Sequence, residues 1–376
     1  MKQQSPNPRI LFVVNEAAFF ISHRLPIALA AIDKGYDVAV AAPPSDHRNK
    51  LEGLGIRFFP IPLLRRTATP SSEIKTLFAL FRLIRTFRPK IVHAVTVKPV
   101  IYSGLASQLA GVPRFIGAIS GLGHVFLSSG TFARARRALV CLAYKLAFRG
   151  SGSIALFQNP DDRELFIQLG IVPQQKTALI RGSGVDPTVY DAGPPPPGPP
   201  IVMLASRLLR EKGVPEFIAA AEILRARNVN ARFVLVGKPD YGNPSSMTEE
   251  ELSNAVASGT VEWWGHRDDM ISVLQQASIV CLPSHGEGLP RILLEAASCR
   301  RPIIATDVPG CREIVLPGQN GLLVPVQSPE ELAKAISILL AQPDRAAEYG
   351  ERGRQLVIDQ FSIQRVVQLT LELYTC

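Results

Sequence analysis

The chain has 376 residues, 47% of them hydrophobic, which is enough apolar material for two sizeable cores. Its 41 Lys and Arg outnumber 32 Asp and Glu, for a net charge of +9 and an isoelectric point near 9.5. No apolar run approaches the roughly eighteen residues of a membrane-spanning helix, Ile10–Val14 is too short for a secretory leader, and five cysteines without CxxC or CxxH spacing fit a reducing cytosol better than disulfides or zinc.

In chain order, short apolar runs alternate with helical patterns. Strands are expected at Ile10–Val14, Asp37–Ala42, Arg57–Ile61, Ile91–Val95, Arg114–Ile119 and Ser153–Phe157, with helices at His23–Lys34, Glu73–Phe87 and Val100–Ala110 among those between them. Such alternation is the signature of a parallel sheet covered by helices on both faces. The first strand runs into Val14-Asn-Glu-Ala-Ala-Phe-Phe20, which has no glycine fingerprint for a dinucleotide. His23 and Arg24 open the first helix, where amides and dipole favour a phosphate. His93 to Pro99, with Lys98, and Ser120 to Phe126, with His124, lie at further strand ends. Asn159 before Pro160 reads as a helix cap, although Asp161 and Asp162 beside it resemble an acidic metal pair. The stretch 191–200, rich in proline, is a stiff extended linker, and we place a domain boundary near residue 190. Domains of 1–190 and 201–360 follow, with residues 361–376 expected as a helix that crosses back to the first.

The alternation restarts at Ile201. Arg207 falls just after the strand Ile201–Ala205, and Lys212 precedes a helix opened by Pro215. Both belong at the carboxyl ends of strands, where ligands bind in open α/β sheets. The most informative stretch follows the strand Ile279–Leu282: Pro283-Ser-His-Gly-Glu287-Gly-Leu-Pro-Arg-Ile-Leu-Leu-Glu295. A strand, a glycine-containing turn and a helix beginning near Pro290 make an anion-binding corner, because the first helical amides have no intrahelical partner. Two carboxylates at such a corner cannot hold phosphate, so Glu287 and Glu295 are expected to hold hydroxyl groups. Diphosphate donors beside hydroxyl acceptors fit a nucleotide-sugar.

This arrangement resembles the Glu-x7-Glu motif of the retaining family 4 glycosyltransferases. Ser206-Arg207 with Lys212-Gly213, Val234-Leu-Val-Gly237, Trp264-Gly265-His-Arg-Asp268 and Thr306-Asp-Val-Pro-Gly310 extend the resemblance over nearly the whole chain. It implies the GT-B fold, an α/β architecture of two doubly wound, Rossmann-like domains facing a cleft. It also implies that Arg207 and Lys212 bind the diphosphate and stabilise its departure without a metal or cofactor. Glu295 would hold the ribose of a donor expected to be a UDP-sugar. Glu287 would hold the hydroxyls of the transferred sugar, and Gly237, Gly265, Gly288 and Leu289 would line the donor. The N-terminal segments resemble enzymes acting on undecaprenyl-diphosphate-linked sugars, with His23, Arg24 and Lys98 toward the acceptor and His124 toward donor sugar or acceptor. Two departures stand out: Ala17-Ala18 replaces glycines common in the family, and Ser183 stands where Asn is usual.

Charge divides at the boundary. Residues 1–190 hold 24 Lys and Arg against 10 acids; the remainder holds 17 against 22. Basic heads among large apolar residues in Thr76–Phe87 and Phe132–Arg149 suit an anionic membrane surface. The resulting expectation is a hexosyltransferase of surface polysaccharide assembly, cytoplasmic and peripheral on the inner face of the plasma membrane. Nucleic acid is excluded as a partner, since no zinc spacing, RNP-like motif or recognition helix accompanies the charge. A UDP-sugar epimerase of the same fold and a non-catalytic sugar-nucleotide-binding protein remain as alternatives.

Overall fold

The computed structural model describes residues 7–63, 69–121 and 130–375. They form two compact units: one runs to Ser183 and resumes at Arg365, and the other spans Gly184–Gln364. The passage from first to second falls within the segment Gly182–Asp186. The proline-rich stretch 191–200 therefore belongs to the second unit, where Arg300 reaches the Ala192 carbonyl and Arg301 the Gly193 carbonyl.

The first unit is built on seven strands: β1 (Arg9–Val13), β2 (Asp37–Ala42), β3 (Arg57–Pro60), β4 (Ile91–Val95), β5 (Arg114–Ile119), β6 (Ser153–Phe157) and β7 (Thr177–Leu179). All pair in parallel, in the order β3-β2-β1-β4-β5-β6-β7. The two-residue period of a strand sorts its side chains. Ile10, Phe12 and Val14 join a core with Ile27, Ala28, Ala31 and Val366, while Leu11 and Val13 join one with Leu80, Ile84 and Val100. Helices Leu25–Asp33 and Ile363–Thr375 thus cover one face, and Pro70–Phe87 and Val97–Ala110 the other. Because both faces are covered, the strands read as unbroken apolar runs.

The strands fall within a residue or so of expectation, except that β7, only three half-buried residues long, had no apolar signal. The first helical stretch differs more: helices Ala17–His23 and Leu25–Asp33 meet at Arg24 instead of one helix running from His23. Pro26 explains the break, because its ring would clash with the carbonyl four residues earlier and it has no N–H to donate. Helix Pro70–Phe87 starts earlier than expected, at a capping box in which Thr69 and Ser72 satisfy each other's amides. Asn159 caps helix Pro160–Gln168 by accepting from the Asp162 amide at 2.8 Å.

The second unit has six parallel strands: β8 (Ile201–Ala205), β9 (Arg232–Val236), β10 (Glu262–Trp263), β11 (Ile279–Leu282), β12 (Ile303–Thr306) and β13 (Gly321–Val324), in the order β10-β9-β8-β11-β12-β13. Met203 and Ala205 face a core with Leu293, Leu294 and Ala297 of helix Arg291–Ser298, and Val202 and Leu204 face one with Phe217 and Leu224 of helix Val214–Ala226. Strand order reverses between β8 and β11, which makes their carboxyl ends the switch point of this sheet. No helix among the described residues is long and apolar enough to cross a membrane.

Candidate active site

The loops leaving β8, β9, β10 and β11 meet at that switch point. After β8 the chain turns through Ser206 and Arg207 into a 3-10 turn, Arg210–Lys212, before helix Val214–Ala226. The Ser206 amide donates to the Val236 carbonyl at 3.0 Å, and the Gly237 amide to the Gly265 carbonyl at 2.7 Å, so three loops are stitched edge to edge. Gly237 must be glycine: its φ is +137°, and a Cβ there would lie 1.9 Å from the Ser206 carbonyl oxygen.

Each basic residue of the sequence motif meets a carboxylate. The Lys212 ammonium lies 2.5 Å from Glu287, with side-chain exposures of only 19% and 10%. Arg207 donates to Asp240 at 2.8 Å, and Arg291 to Glu295 at 2.7 Å, with the Glu295 side chain 8% exposed. The Tyr190 phenol lies beside Glu295 and Arg291; burial first, then the charge of Glu295, pushes its pKa up to about 12.

The glutamate loop is built into the turn that carries Lys212. The Ser284 hydroxyl and the His285 amide both donate to the Glu211 carbonyl, at 3.0 and 2.8 Å. The His285 ring pairs with Glu216 at 2.8 Å, and Thr306 donates to the Ser284 carbonyl from β12. A Cβ on Gly310 would lie 2.5 Å from the Gly288 carbonyl and 2.6 Å from that of Glu287, so glycine there lets the loop seat. Pro290 sits one position before helix Arg291–Ser298, as its N-cap, rather than in the first turn. The Leu289 side chain packs into the core, so its contribution to a ligand is limited to its backbone.

Arg207, Gly237 and Glu295 line one pocket of about 280 Å³, together with Lys238, His266, Arg267, Met270 and Ile292. A larger cavity of about 740 Å³ lies between residues 191–200 and helices Pro329–Ala341 and Pro343–Leu356. It holds none of the motif residues, so polar convergence rather than size marks the site. Sequence reasoning missed Tyr190, Lys238 and Asp240. Tyr190 precedes the linker and carries no local pattern pointing to Glu295. His266 and Arg267 were within reach, as neighbours of Gly265 in a motif already singled out.

In the first unit the expected acceptor residues are dispersed among different environments. His23 stacks on Phe19 with ring centroids 4.3 Å apart and bonds the Ser22 hydroxyl. Arg24 is only 3% exposed. Lys98 lies 2.9 Å from Glu73 of the neighbouring helix, whose other oxygen takes the Tyr102 hydroxyl. His93 lies within β4, not after it. His124 falls outside the described residues. No group of three or more metal-ligating side chains occurs among the described residues.

A doubly wound sheet whose switch-point loops present cations, carboxylates and close-approach glycines has the form of a ligand site of an open α/β sheet. Residues 190–356 match a family model described as glycosyl transferases group 1, and residues 9–159 one described as glycosyl transferase 4-like. The chain is 28% identical, over 97% of its length and 98% of the relative's, to the N,N'-diacetylbacillosaminyl-diphospho-undecaprenol alpha-1,3-N-acetylgalactosaminyltransferase of Campylobacter jejuni. It is 33% identical to the alpha-maltose-1-phosphate synthase of Mycolicibacterium smegmatis over 51% of this chain and 55% of that one. Among solved structures, sucrose-phosphate synthase of Thermosynechococcus elongatus superposes with a TM-score of 0.80 at 21% identity, covering 98% of both chains. Anabaena HepE in complex with UDP gives 0.78 at 19% identity, covering 98% of this chain and 99% of that one. The chain belongs to the group 1, family 4-like glycosyltransferases and has the GT-B fold.

Proposed function

We propose that this glycosyltransferase moves a sugar, with retention of configuration, from a nucleoside diphosphate donor to a saccharide carried on a polyprenyl diphosphate. One observation carries the donor half: Lys212 and Glu287 face each other at 2.5 Å beside a pocket lined by Arg207, Gly237 and Glu295. A diphosphate drawn to Lys212 and Arg207 replaces their carboxylate partners with its own charge. Glu287 is thereby released toward the hydroxyls of the sugar, and Glu295 holds the ribose. The two cations stabilise the charge that develops on the leaving diphosphate. A leaving phosphate oxygen then takes the proton of the attacking acceptor hydroxyl on the same face, giving an α-linked product without a covalent intermediate. His124 is assigned to the donor sugar or the acceptor, and His23 and Lys98 to the acceptor. The full-length similarity to the Campylobacter transferase, whose name specifies an undecaprenyl-diphosphate acceptor, supports that acceptor class.

The same reading places the protein peripherally on an anionic membrane. Helix Pro70–Phe87 exposes Ile74 and Phe78, and helix Thr131–Ala147 exposes Leu139, Leu142 and Leu146. Both pack on helix Val97–Ala110 and carry Arg82, Arg85, Arg134, Arg136 and Lys145 besides. Apolar anchors among basic heads match an anionic interface. The test of the function is to incubate purified protein with a panel of UDP-sugars and polyprenyl-diphosphate saccharides and to determine the anomeric configuration by NMR. An α-linked lipid product is expected. An epimerised sugar, or binding with neither transfer nor hydrolysis, would move the chain to one of the two alternatives, which the comparisons do not favour.

A further inference from the structure

The core of the first unit contains a positive charge with no carboxylate. Arg24 is 3% exposed and His93 and Tyr374 are 0% and 6% exposed. They come from the junction of helices Ala17–His23 and Leu25–Asp33, from β4, and from the end of helix Ile363–Thr375. The His93 Nδ1 and the Tyr374 hydroxyl are 2.7 Å apart, and the imidazole stacks on Phe12 at 5.2 Å. One Arg24 terminal nitrogen donates to the His23 carbonyl at 3.2 Å. Arg24 Nε and His93 Nε2 are both buried without a partner. No carboxylate among the described residues pairs with the guanidinium, and burial lowers its pKa to about 10, the nearby Tyr374 opposing the shift. Burial, then Arg24, holds His93 well below its ordinary range, so the ring is neutral.

Both unpartnered side chains line one small cavity, of about 10 Å³, closed by Gln158 from the end of β6 and by Val366 and Thr370 from the C-terminal helix. The Thr370 hydroxyl is already committed to the Val366 carbonyl at 2.7 Å. A space of this size takes one water-sized particle; a phosphate or carboxylate is too large. With the Tyr374 hydroxyl donating to Nδ1, the imidazole proton resides on Nε2, and the cavity then meets two N–H donors beside a full positive charge. A water there would satisfy the donors and leave the charge uncompensated, and an isolated charge in a protein interior is costly.

We propose that this cavity is a binding site for a single monatomic anion of the halide class, held by Arg24 Nε and His93 Nε2. The anion compensates the buried guanidinium. Because Val366 and Thr370 line the cavity and Tyr374 bonds the far side of the His93 ring, it also fastens the C-terminal helix to the sheet of the first unit. This inference is independent of glycosyl transfer and is read without an activity assay. The melting temperature of the full chain, titrated with sodium chloride against sodium gluconate at matched ionic strength, should rise saturably by about 3 °C in chloride alone. Crystals grown in bromide should show an anomalous peak within hydrogen-bond distance of both nitrogens. Arg24→Met should abolish the halide response. If that variant does not fold, the wild-type titration and the bromide crystals decide. Equal melting temperatures in the two salts, a response that Arg24→Met retains, or bromide absent from the cavity would overturn the proposal and leave a water in its place.

Discussion

The two units hold their charge in opposite ways. In the second, the cations of the motif are each locked at short range to an acid: Lys212 to Glu287, Arg207 to Asp240, Arg291 to Glu295. In the first, basic residues are spread along helices Pro70–Phe87 and Thr131–Ala147 between exposed Phe78, Leu139 and Leu142. Paired charges in a shielded pocket are set for exchange with one specific ligand, because the ligand replaces a partner rather than only shedding water. Charges interleaved with exposed apolar side chains suit an extended surface, where each contributes a little and long-range attraction falls with salt. The contrast predicts that single substitutions will be severe in the second unit and mild in the first, where only several together should tell.

The largest effect is expected at Lys212. Lys212→Ala removes one preorganised charge from the leaving group and should lower turnover by about two to three orders of magnitude. Arg207→Ala should act similarly with little change in melting temperature, since the Arg207 side chain is about half exposed. Full turnover in both single variants would remove the diphosphate assignment. If these charges take the place of a metal, as proposed, EDTA should leave most of the turnover intact; a loss restored by Mg²⁺ or Mn²⁺ would contradict it.

On the other side of the comparison, Arg134, Arg136 and Arg137 must be changed together. Each basic residue near an anionic surface contributes about 1 kcal/mol, so reversing all three to Glu should weaken binding to phosphatidylglycerol vesicles by about a hundredfold or more. Hydrolysis of the donor should be spared. Equal binding of the native protein to neutral and anionic vesicles would mean that the apolar side chains alone attach it.

The two glutamates sharpen the comparison within the second unit. Glu287→Gln keeps the shape but weakens a charged acceptor for sugar hydroxyls, and such bonds contribute about 1.5–3 kcal/mol, or roughly tenfold to a hundredfold in turnover. Glu295→Gln should instead weaken the binding of UDP itself, measured by calorimetry. If UDP affinity falls only in the Glu287 variant, the roles are reversed.

Much of this architecture was legible in the sequence, for identifiable reasons. Strands buried on both faces carry unbroken apolar runs, so β1, β2, β4, β5 and β6 announced themselves, whereas β7, with three half-buried residues, did not. The proximity of Arg207, Lys212, Glu287 and Glu295 was readable because loops after parallel strands converge by topology, whereas Gly237 came from the family resemblance. Their pairing was not readable: that Lys212 rests on Glu287, or Lys98 on Glu73, depends on side-chain reach across loops. Nor was the burial of Arg24, which follows from the helix break at Pro26 and the return of the C-terminal helix to cover it.

The smallest predicted effect concerns a residue that only the structure identifies. Tyr190 lies 105 positions before Glu295 in the chain, yet its phenol comes to lie beside that carboxylate, which Arg291 holds at 2.7 Å. Burial and the neighbouring charge raise the phenol's pKa to about 12, so at neutral pH it keeps its proton and has one to offer Glu295. Arg291 holds Glu295 directly, so it remains when the neighbouring phenol is lost. Tyr190→Phe should therefore cost only about 1 kcal/mol, or roughly fivefold in UDP affinity, with turnover at saturating donor unchanged. Acting through Glu295, it should add nothing to Glu295→Gln: the double variant should bind UDP no more weakly than Glu295→Gln alone. Additive losses would show that Tyr190 touches the nucleotide directly, and an unchanged affinity in Tyr190→Phe would show that Arg291 orients Glu295 unaided.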